Sequence, residues 1–264
     1  LSLVGSEMCI RDSWNVIPAD VESRLSPRPL GALAIDFEVR RPRHESLSVA
    51  ADFDLQEVRL RSHPFGRLQG HVLYDSQRLE FSELHLTGRD TRVQASARFS
   101  TEPVQFEESY ARIETPLATL TLLALIDPEL DPSGNLQAAV DLRQDVTGAL
   151  DARGEATVVD AEISGFPFSR AAATFTLDAE RFSADPISIS AAGGNLEGRL
   201  AYRLADGFFD VEAKGENFRI ENIPHIPETL EMTGRFGLAL QGSGTADAPQ
   251  VQARIHSDLV DIGG

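Results

Sequence analysis

The chain has 264 residues, one cysteine, and 41 acidic against 24 basic residues, which gives a net charge of −17. This acidity argues against nucleic acid or an anionic membrane surface as a partner, because both would require a basic face. One cysteine excludes an internal disulfide, and a hydrophobic fraction of 42% argues against a mostly disordered chain.

The first thirteen residues resemble a translated sequencing adapter. The run from Met8 to Ser13 can be back-translated into the end of a transposase adapter, and it contains the only cysteine, Cys9. We therefore interpret residues 1–13 as an artefact and predict no structure for them. The rest is expected to be an internal piece of a longer protein.

A repeat of about one hundred residues organises the remaining chain. With an offset of 103 positions, residues 29–99 align with 132–202, and apolar and turn residues stay in phase throughout. A third copy opens at Gly234, as Gly31 and Gly134 open the first two. The predicted domains are repeat unit 1 at 14–114, repeat unit 2 at 115–216 and the start of repeat unit 3 at 217–264.

The pattern within each unit is typical of β-strands. Leu33, Ile35 and Phe37 alternate with Ala34 and Asp36, and the same period of two recurs along the chain. This alternation predicts a sheet with one apolar and one polar face. Short turns such as Asp-Gly at 206–207 predict antiparallel hairpins, because both residues tolerate a positive φ. The strands are expected to be about 6–9 residues long.

One segment departs from this pattern. Residues 116–126 begin with Pro116, form a dense apolar run, and stop before Asp127 and Pro128. Proline in the first turn favours the start of a helix, and proline after Asp127 disfavours its continuation. We expect a short helix that leads repeat unit 2, where it either packs as core or closes one end of a groove.

The most specific motif lies in the third copy. In residues 233–251, a strand that begins with glycine leads to Gly-Thr, then to a turn of small residues with Pro249, and then to the next strand. This motif resembles the recurring signature of the AsmA-like and TamB-like envelope proteins. A looser version covers 134–158, where the proline is missing and four residues are inserted. The resemblance in pattern extends over 14–264.

This resemblance implies an all-β fold, namely an elongated, curled, U-shaped antiparallel sheet (a repeating β-groove) with one short helix between repeats. It implies a non-enzymatic segment of a periplasm-spanning protein of Gram-negative bacteria that transfers lipids and serves outer-membrane biogenesis. The full-length protein would be anchored to the inner membrane by a segment upstream of this sequence. Its expected partners are phospholipid acyl chains and outer-membrane assembly proteins, with no cofactor.

The residues expected to line the groove are large apolar ones that alternate along the predicted strands. Each CH₂ group of an acyl chain that moves there from water would contribute about 0.8 kcal/mol. The predicted groove residues are Leu33, Ile35, Phe37, Val72, Tyr74, Leu84, Leu86, Val93, Phe175, Leu177, Ile187, Ile189, Leu196, Phe236, Leu238 and Leu240.

No sequence motif predicts catalysis or a metal site. The chain lacks a nucleophile elbow, a phosphate-binding loop and the histidine spacing typical of zinc ligands. It also lacks an apolar run long enough for a transmembrane helix. Two other hypotheses remain open. One is a secreted or cell-surface adhesin or scaffold whose own side chains fill its core. The other is an outer-membrane β-barrel, against which the scarcity of Tyr and Trp argues.

Overall fold

The computed structural model describes residues 30–40, 48–60, 63–75, 77–102, 104–122, 127–145, 148–224, 232–245 and 247–262. Most of these residues belong to antiparallel strands, so the prediction of an all-β fold with one short helix is confirmed. The suspected adapter sequence at 1–13 lies outside the described residues, and so does 225–231 before the third copy.

The chain forms two compact units. Among the described residues, the first unit extends to Thr115 and includes Asp141–Gln144, while the second consists of Pro116–Val140 and the residues from Asp145 onward. The predicted boundaries of the three repeat units remain a prediction.

The first unit contains six strands in chain order. They are β1 (Leu30–Arg40), β2 (Ser48–Leu60), β3 (His63–Tyr74), β4 (Arg78–Thr87), β5 (Arg92–Thr101) and β6 (Val104–Pro116). Each strand pairs antiparallel with the next one. The sheet of this unit is therefore a simple meander, as the short turns in the sequence predict.

The second unit continues the same plan. Its strands are β7 (Ser133–Gln144, of which Asp141–Gln144 belong to the first unit), β8 (Leu150–Ile163), β9 (Phe166–Leu177), β10 (Arg181–Ala191), β11 (Gly194–Arg203), β12 (Phe209–Arg219), β13 (Met232–Thr245) and β14 (Ala248–Ile262). From β8 to β14, each strand pairs antiparallel with the next. A shift of 103 residues superimposes the bounds of β3 on those of β9.

A short helix, α1 (Leu117–Leu122), occupies the predicted position before β7. The last four residues of the predicted helix, 123–126, lie outside the described residues. Within α1, Leu117 is 5% and Thr119 is 6% exposed. These two side chains are therefore packed, as both interpretations of α1 require.

Aspartates shape equivalent turns in the two units. The Oδ1 atom of Asp75 accepts hydrogen bonds from the backbone N–H groups of Gln77 and Arg78, both at 2.8 Å. One repeat later, Asp178 accepts the same two bonds from Glu180 and Arg181 at 2.8 Å. This is the local capping for which aspartate is favoured in turns. The predicted Asp-Gly turn at 206–207 also connects two paired strands, β11 and β12.

The expected strand length of about 6–9 residues is wrong. Strands range from 10 residues in β4 to 15 in β14. One reason is a set of β-bulges, in which one extra residue shifts the apolar phase while the strand continues. In β4, for example, Glu83 has a φ of 52° between Phe81 and Leu84, and the pairing register shifts there.

Candidate functional site

Backbone pairing gathers the apolar residues of β1–β6 on one side of the first unit. Directly opposed residues of antiparallel strands project to the same side of the sheet. One row of successive partners contains Leu33, Leu55, Leu68, Leu86, Val93 and Ile113. A second row contains Val39, Val49, Tyr74, Leu79, Phe99 and Phe106. We call this side of the sheet the first apolar face.

The predicted groove residues of the first unit fit this arrangement. Ile35, Val72 and Leu84 lie in the rows between the two just given. Phe37 pairs through its backbone with Ala51, which in turn pairs with Val72. The alternation in the sequence therefore selected positions that share one side of the sheet, although it could not show which strands are neighbours.

The second unit has an equivalent second apolar face. One row of partners contains Ala171, Ile189, Leu196, Gly215, Leu238 and Ile255. Another contains Leu177, Phe182, Tyr202 and Phe209. The remaining predicted residues, Phe175, Ile187, Phe236 and Leu240, have partners on the same side. Each predicted groove residue of this unit thus lies on one side of its sheet.

Most large side chains on the two faces stay partly exposed, although Leu55 and Phe218 are buried at 6% and 7% exposure. Among the described residues, no large side chain has less than 2% of its surface exposed. The predicted groove residues whose burial is described are half-buried, and Tyr74 reaches 36% exposure. A sheet face that packs against a second layer would bury such residues, because this packing removes apolar surface from water. The faces therefore offer accessible apolar surface.

Aromatic side chains cover part of these faces. In the first unit, the ring of Phe99 makes edge-to-face contacts with Phe81 and Phe106, at centroid distances of 6.1 and 5.6 Å. In the second unit, Phe218 stacks on Phe236 at 5.4 Å. The Phe218 ring also lies where side chains at two glycines, 194 and 215, would have to be. At these places, the protein's own aromatic side chains cover the apolar face of the sheet.

The opposite faces carry ion pairs. Arg98 lies between two carboxylates on neighbouring strands, with Glu108 at 2.6 Å and Glu80 at 3.8 Å. In the second unit, Arg199 contacts Glu212 at 2.8 Å across β11 and β12. Pairs that are this exposed contribute little to stability. Their role is to keep this side of the sheet hydrated.

The shifted pKa values also belong to the polar faces. A hydrogen bond from Arg67 lowers the pKa of Asp54, and a hydrogen bond to Glu216 raises the pKa of Lys214. In these two cases an adjacent ion-pair partner is the main cause of the shift, and for Asp178 and Glu221 a backbone hydrogen bond is. None of these groups is of the desolvated kind typical of active sites. Among the described residues, no group of three or more His, Cys, Asp and Glu side chains could hold a metal ion.

A depression of about 810 Å³ lies at the ends of β8–β11 in the second unit. Neutral side chains such as Ser190, Asn195 and Asn222 form much of its lining, and its charged residues are Asp160 and Glu162. Because it contains no basic side chain, it does not suit a phosphate or another anion.

The predicted set of groove residues leaves out several residues of the two faces. Leu68, Phe81 and Phe99 lie on the first apolar face, and Phe182 and Phe218 lie on the second. The signal for most of them was the same alternation. For Phe218 it was hidden, because the register shifts between Gly215 and Phe218 and breaks the period of two.

No family model matches the chain, and neither the curated proteins nor the solved structures contain a match. None of the helices in the described part of the chain has the length and apolarity needed to cross a bilayer.

Proposed function

We propose that the two apolar faces bind the acyl chains of phospholipids and shield them from water, without chemical catalysis. The observation that carries this proposal is the half-exposed apolar surface that continues across successive strands of each unit. Its placement in the bacterial periplasm, in a protein of lipid transfer and outer-membrane biogenesis, rests on the resemblance of residues 233–251 to AsmA-like and TamB-like proteins.

The hydrophobic effect suffices to drive such binding. Association costs at least about 4 kcal/mol in lost translational and rotational freedom. Each buried CH₂ group contributes about 0.8 kcal/mol, so about five methylenes offset this cost and further ones yield net affinity. Because the interaction is not directional, an acyl chain could move from row to row without passing through water. Such movement requires no covalent step.

Site-specific photocrosslinking tests this proposal. A benzophenone amino acid is placed at Val72, Leu86, Phe175 or Ile189, which lie on the apolar faces. Lipid capture is then measured by mass spectrometry after irradiation in the presence of phospholipid vesicles. The matched controls carry the same probe one residue away, on the polar side of the same strand, at His71, His85, Thr174 and Ser188.

We expect the probes on the apolar faces to form at least ten times as many lipid adducts as the matched control probes. A tenfold ratio of lipid occupancy corresponds to a difference of about 1.4 kcal/mol in binding free energy. If all four probes fail to capture lipid, or if each control captures as much as its partner, lipid binding by these faces is refuted.

A second candidate is a scaffold or adhesin whose own side chains fill its core. The contacts of Phe218 with Phe236 and with the glycine positions 194 and 215 favour it locally. A self-filled sheet would be equally stable with and without lipid. A lipid-binding sheet would gain stability with lipid concentration, because a ligand that binds only the native state shifts the unfolding equilibrium. Thermal unfolding of delipidated and lipid-loaded protein therefore separates the two candidates.

A further inference from the structure

The depression at the ends of β8–β11 has the size of a small-molecule site. Its volume of about 810 Å³ lies within the range of about 300–1,000 Å³ that is typical of ligand pockets. Two of its lining residues, Ala161 and Ala191, are 4% and 7% exposed, so part of its surface is set well into the protein. It is built by interior strands of the sheet and by Asn222, which follows β12.

The repeat explains why this place is open in the second unit. In the first unit, the four-residue loop 88–91 connects β4 and β5, and Gly88 lies so close to the backbone of Phe65 that a side chain would not fit there. Phe65 is accordingly only 7% exposed. With the offset of 103, its counterpart in the second unit is Phe168, but a turn of only two residues, 192–193, connects β10 and β11. This shorter turn leaves Phe168 half-buried in the lining of the depression.

The two sides of the depression offer different hydrogen-bonding groups. On the β8 side, Asp160 and Glu162 offer carboxylate oxygens as acceptors, and neither forms an ion pair with the described part of the chain. On the β11 side, Ser190 donates a hydrogen bond to the Oδ1 atom of Asn195 at 2.8 Å, so the amide N–H groups of Asn195 remain available as donors. The amide of Asn222 adds a donor and an acceptor. A ligand that suits this lining therefore both donates and accepts hydrogen bonds.

Apolar surface lies beside these polar groups. Pro167 is exposed, Phe168 is half-buried, and both line the depression. A sugar ring matches this combination, because its hydroxyl groups donate and accept hydrogen bonds while its C–H groups pack on an apolar ring. An organic cation matches it less well. It would interact with the two carboxylates alone, and ion pairs between groups as exposed as these contribute little.

We propose that this depression binds a pyranose ring of a carbohydrate. Asp160 and Glu162 accept hydrogen bonds from hydroxyl groups at one side of the ring. The amides of Asn195 and Asn222 donate hydrogen bonds to hydroxyl oxygens at the other side, and Phe168 lies against the C–H groups of the ring. The binding involves no covalent step, and this inference does not rest on lipid binding by the apolar faces.

Saturation-transfer-difference NMR with the full chain tests this proposal, because the method detects weak ligands. The probes are the methyl glycosides of glucose, galactose, mannose and N-acetylglucosamine. Glycerol serves as a polyol without a ring, and ethylamine serves as a cation without hydroxyl groups. Each probe is measured at low and at high salt concentration.

Two substitutions remove hydrogen-bonding groups from opposite sides of the depression. They are Asn222→Ala and Asp160→Asn, and asparagine tolerates the φ of 49° at position 160. The matched controls are Asn135→Ala in β7 and Asp151→Asn in β8, at exposed positions of the same unit outside the lining. Far-UV circular dichroism verifies the fold of each variant. Because the two substitutions lie on different elements, one remains informative if the other unfolds the chain.

We expect at least one glycoside to bind, equally well at both salt concentrations. Its apparent Kd should rise about three- to tenfold with Asn222→Ala and with Asp160→Asn, as is typical for the loss of one hydrogen bond, and stay unchanged in both controls. The proposal is overturned if no glycoside gives a signal above that of glycerol, or if the controls weaken binding as much as the two substitutions do. Displacement of the glycosides by ethylamine, with binding that falls as salt rises, would also overturn it, since the depression would then be a cation site.

Discussion

Phe218 should be a principal source of stability for the second unit. Its side chain is 7% exposed, stacks on Phe236 at 5.4 Å and occupies the space above Gly194 and Gly215. It thus joins β11, β12 and β13 in a single contact. Removal of its ring by Phe218→Ala would leave a gap that two glycines cannot fill, because neither has a side chain to move into it.

The magnitude follows from burial. Truncation of a buried phenylalanine typically costs about 3–5 kcal/mol, and the aromatic pair adds about 0.5–1.5 kcal/mol beyond its area. Phe166→Ala is the matched control, because Phe166 is 43% exposed and lies in the same unit. For this control we expect a loss of about 1–2 kcal/mol, scaled from the value for full burial.

Urea unfolding followed by far-UV circular dichroism measures both variants. We expect a lower midpoint for Phe218→Ala with an unchanged slope, and a partial recovery with Phe218→Leu. If Phe218→Ala costs no more than Phe166→Ala, the inferred role of this ring as the filling of the sheet is wrong.

Two further predictions concern a turn and a glycine. The backbone N–H of Glu180, and then that of Arg181, lowers the pKa of Asp178. The hydrogen bonds that ionised Asp178 accepts should therefore stabilise the fold at neutral pH. This stabilisation should be lost as the pH falls through the lowered pKa. Urea midpoints of Asp178→Asn and the unmodified chain should accordingly converge in acid, and a constant difference would contradict this assignment. Gly70→Val should cost about 1–3 kcal/mol, because its side chain would collide first with Leu84 and then with Phe53. Leu84→Ala should relieve much of that loss in a double-mutant cycle.

The sequence sufficed to predict which residues share a face, but not how long the strands are. Alternation is a local property of the chain, so Leu84 and Leu86 could be assigned to one side of β4 without knowledge of its neighbours. A bulge depends on the backbone of two strands at once. Nothing in the residue Glu83 itself predicts its φ of 52°, since glutamate rarely adopts this region.

The sequence also did not predict which side chains contact each other across neighbouring strands. Phe218 covers two glycines because β11 and β12 are neighbours and because β12 bulges at Asn217, which has a φ of 64°. The alternation of apolar and polar residues does not predict that either glycine contacts Phe218.

The bulge at Glu83 allows a test of the argument that the apolar faces determine the fold. Phe81 and Leu84 are three residues apart, yet both lie on the first apolar face, because Glu83 is the extra residue between them. Deletion of Glu83 would bring Leu84 two positions after Phe81, so the face would stay intact while the bulge disappears. Deletion of Gln94 from β5, where the pairing with both neighbouring strands is regular, would instead move Ala97 and Phe99 to the polar side.

We therefore expect the chain without Glu83 to fold with a modest loss of stability, and the chain without Gln94 to lose the cooperative unfolding of the first unit. Both deletions remove one polar residue from a strand of this unit, so chain length and hydrophobicity are matched. Urea unfolding and amide hydrogen exchange of β4 and β5 distinguish the two outcomes. Equal damage from both deletions would mean that the bulge geometry, rather than the continuity of the apolar face, holds this part of the sheet together.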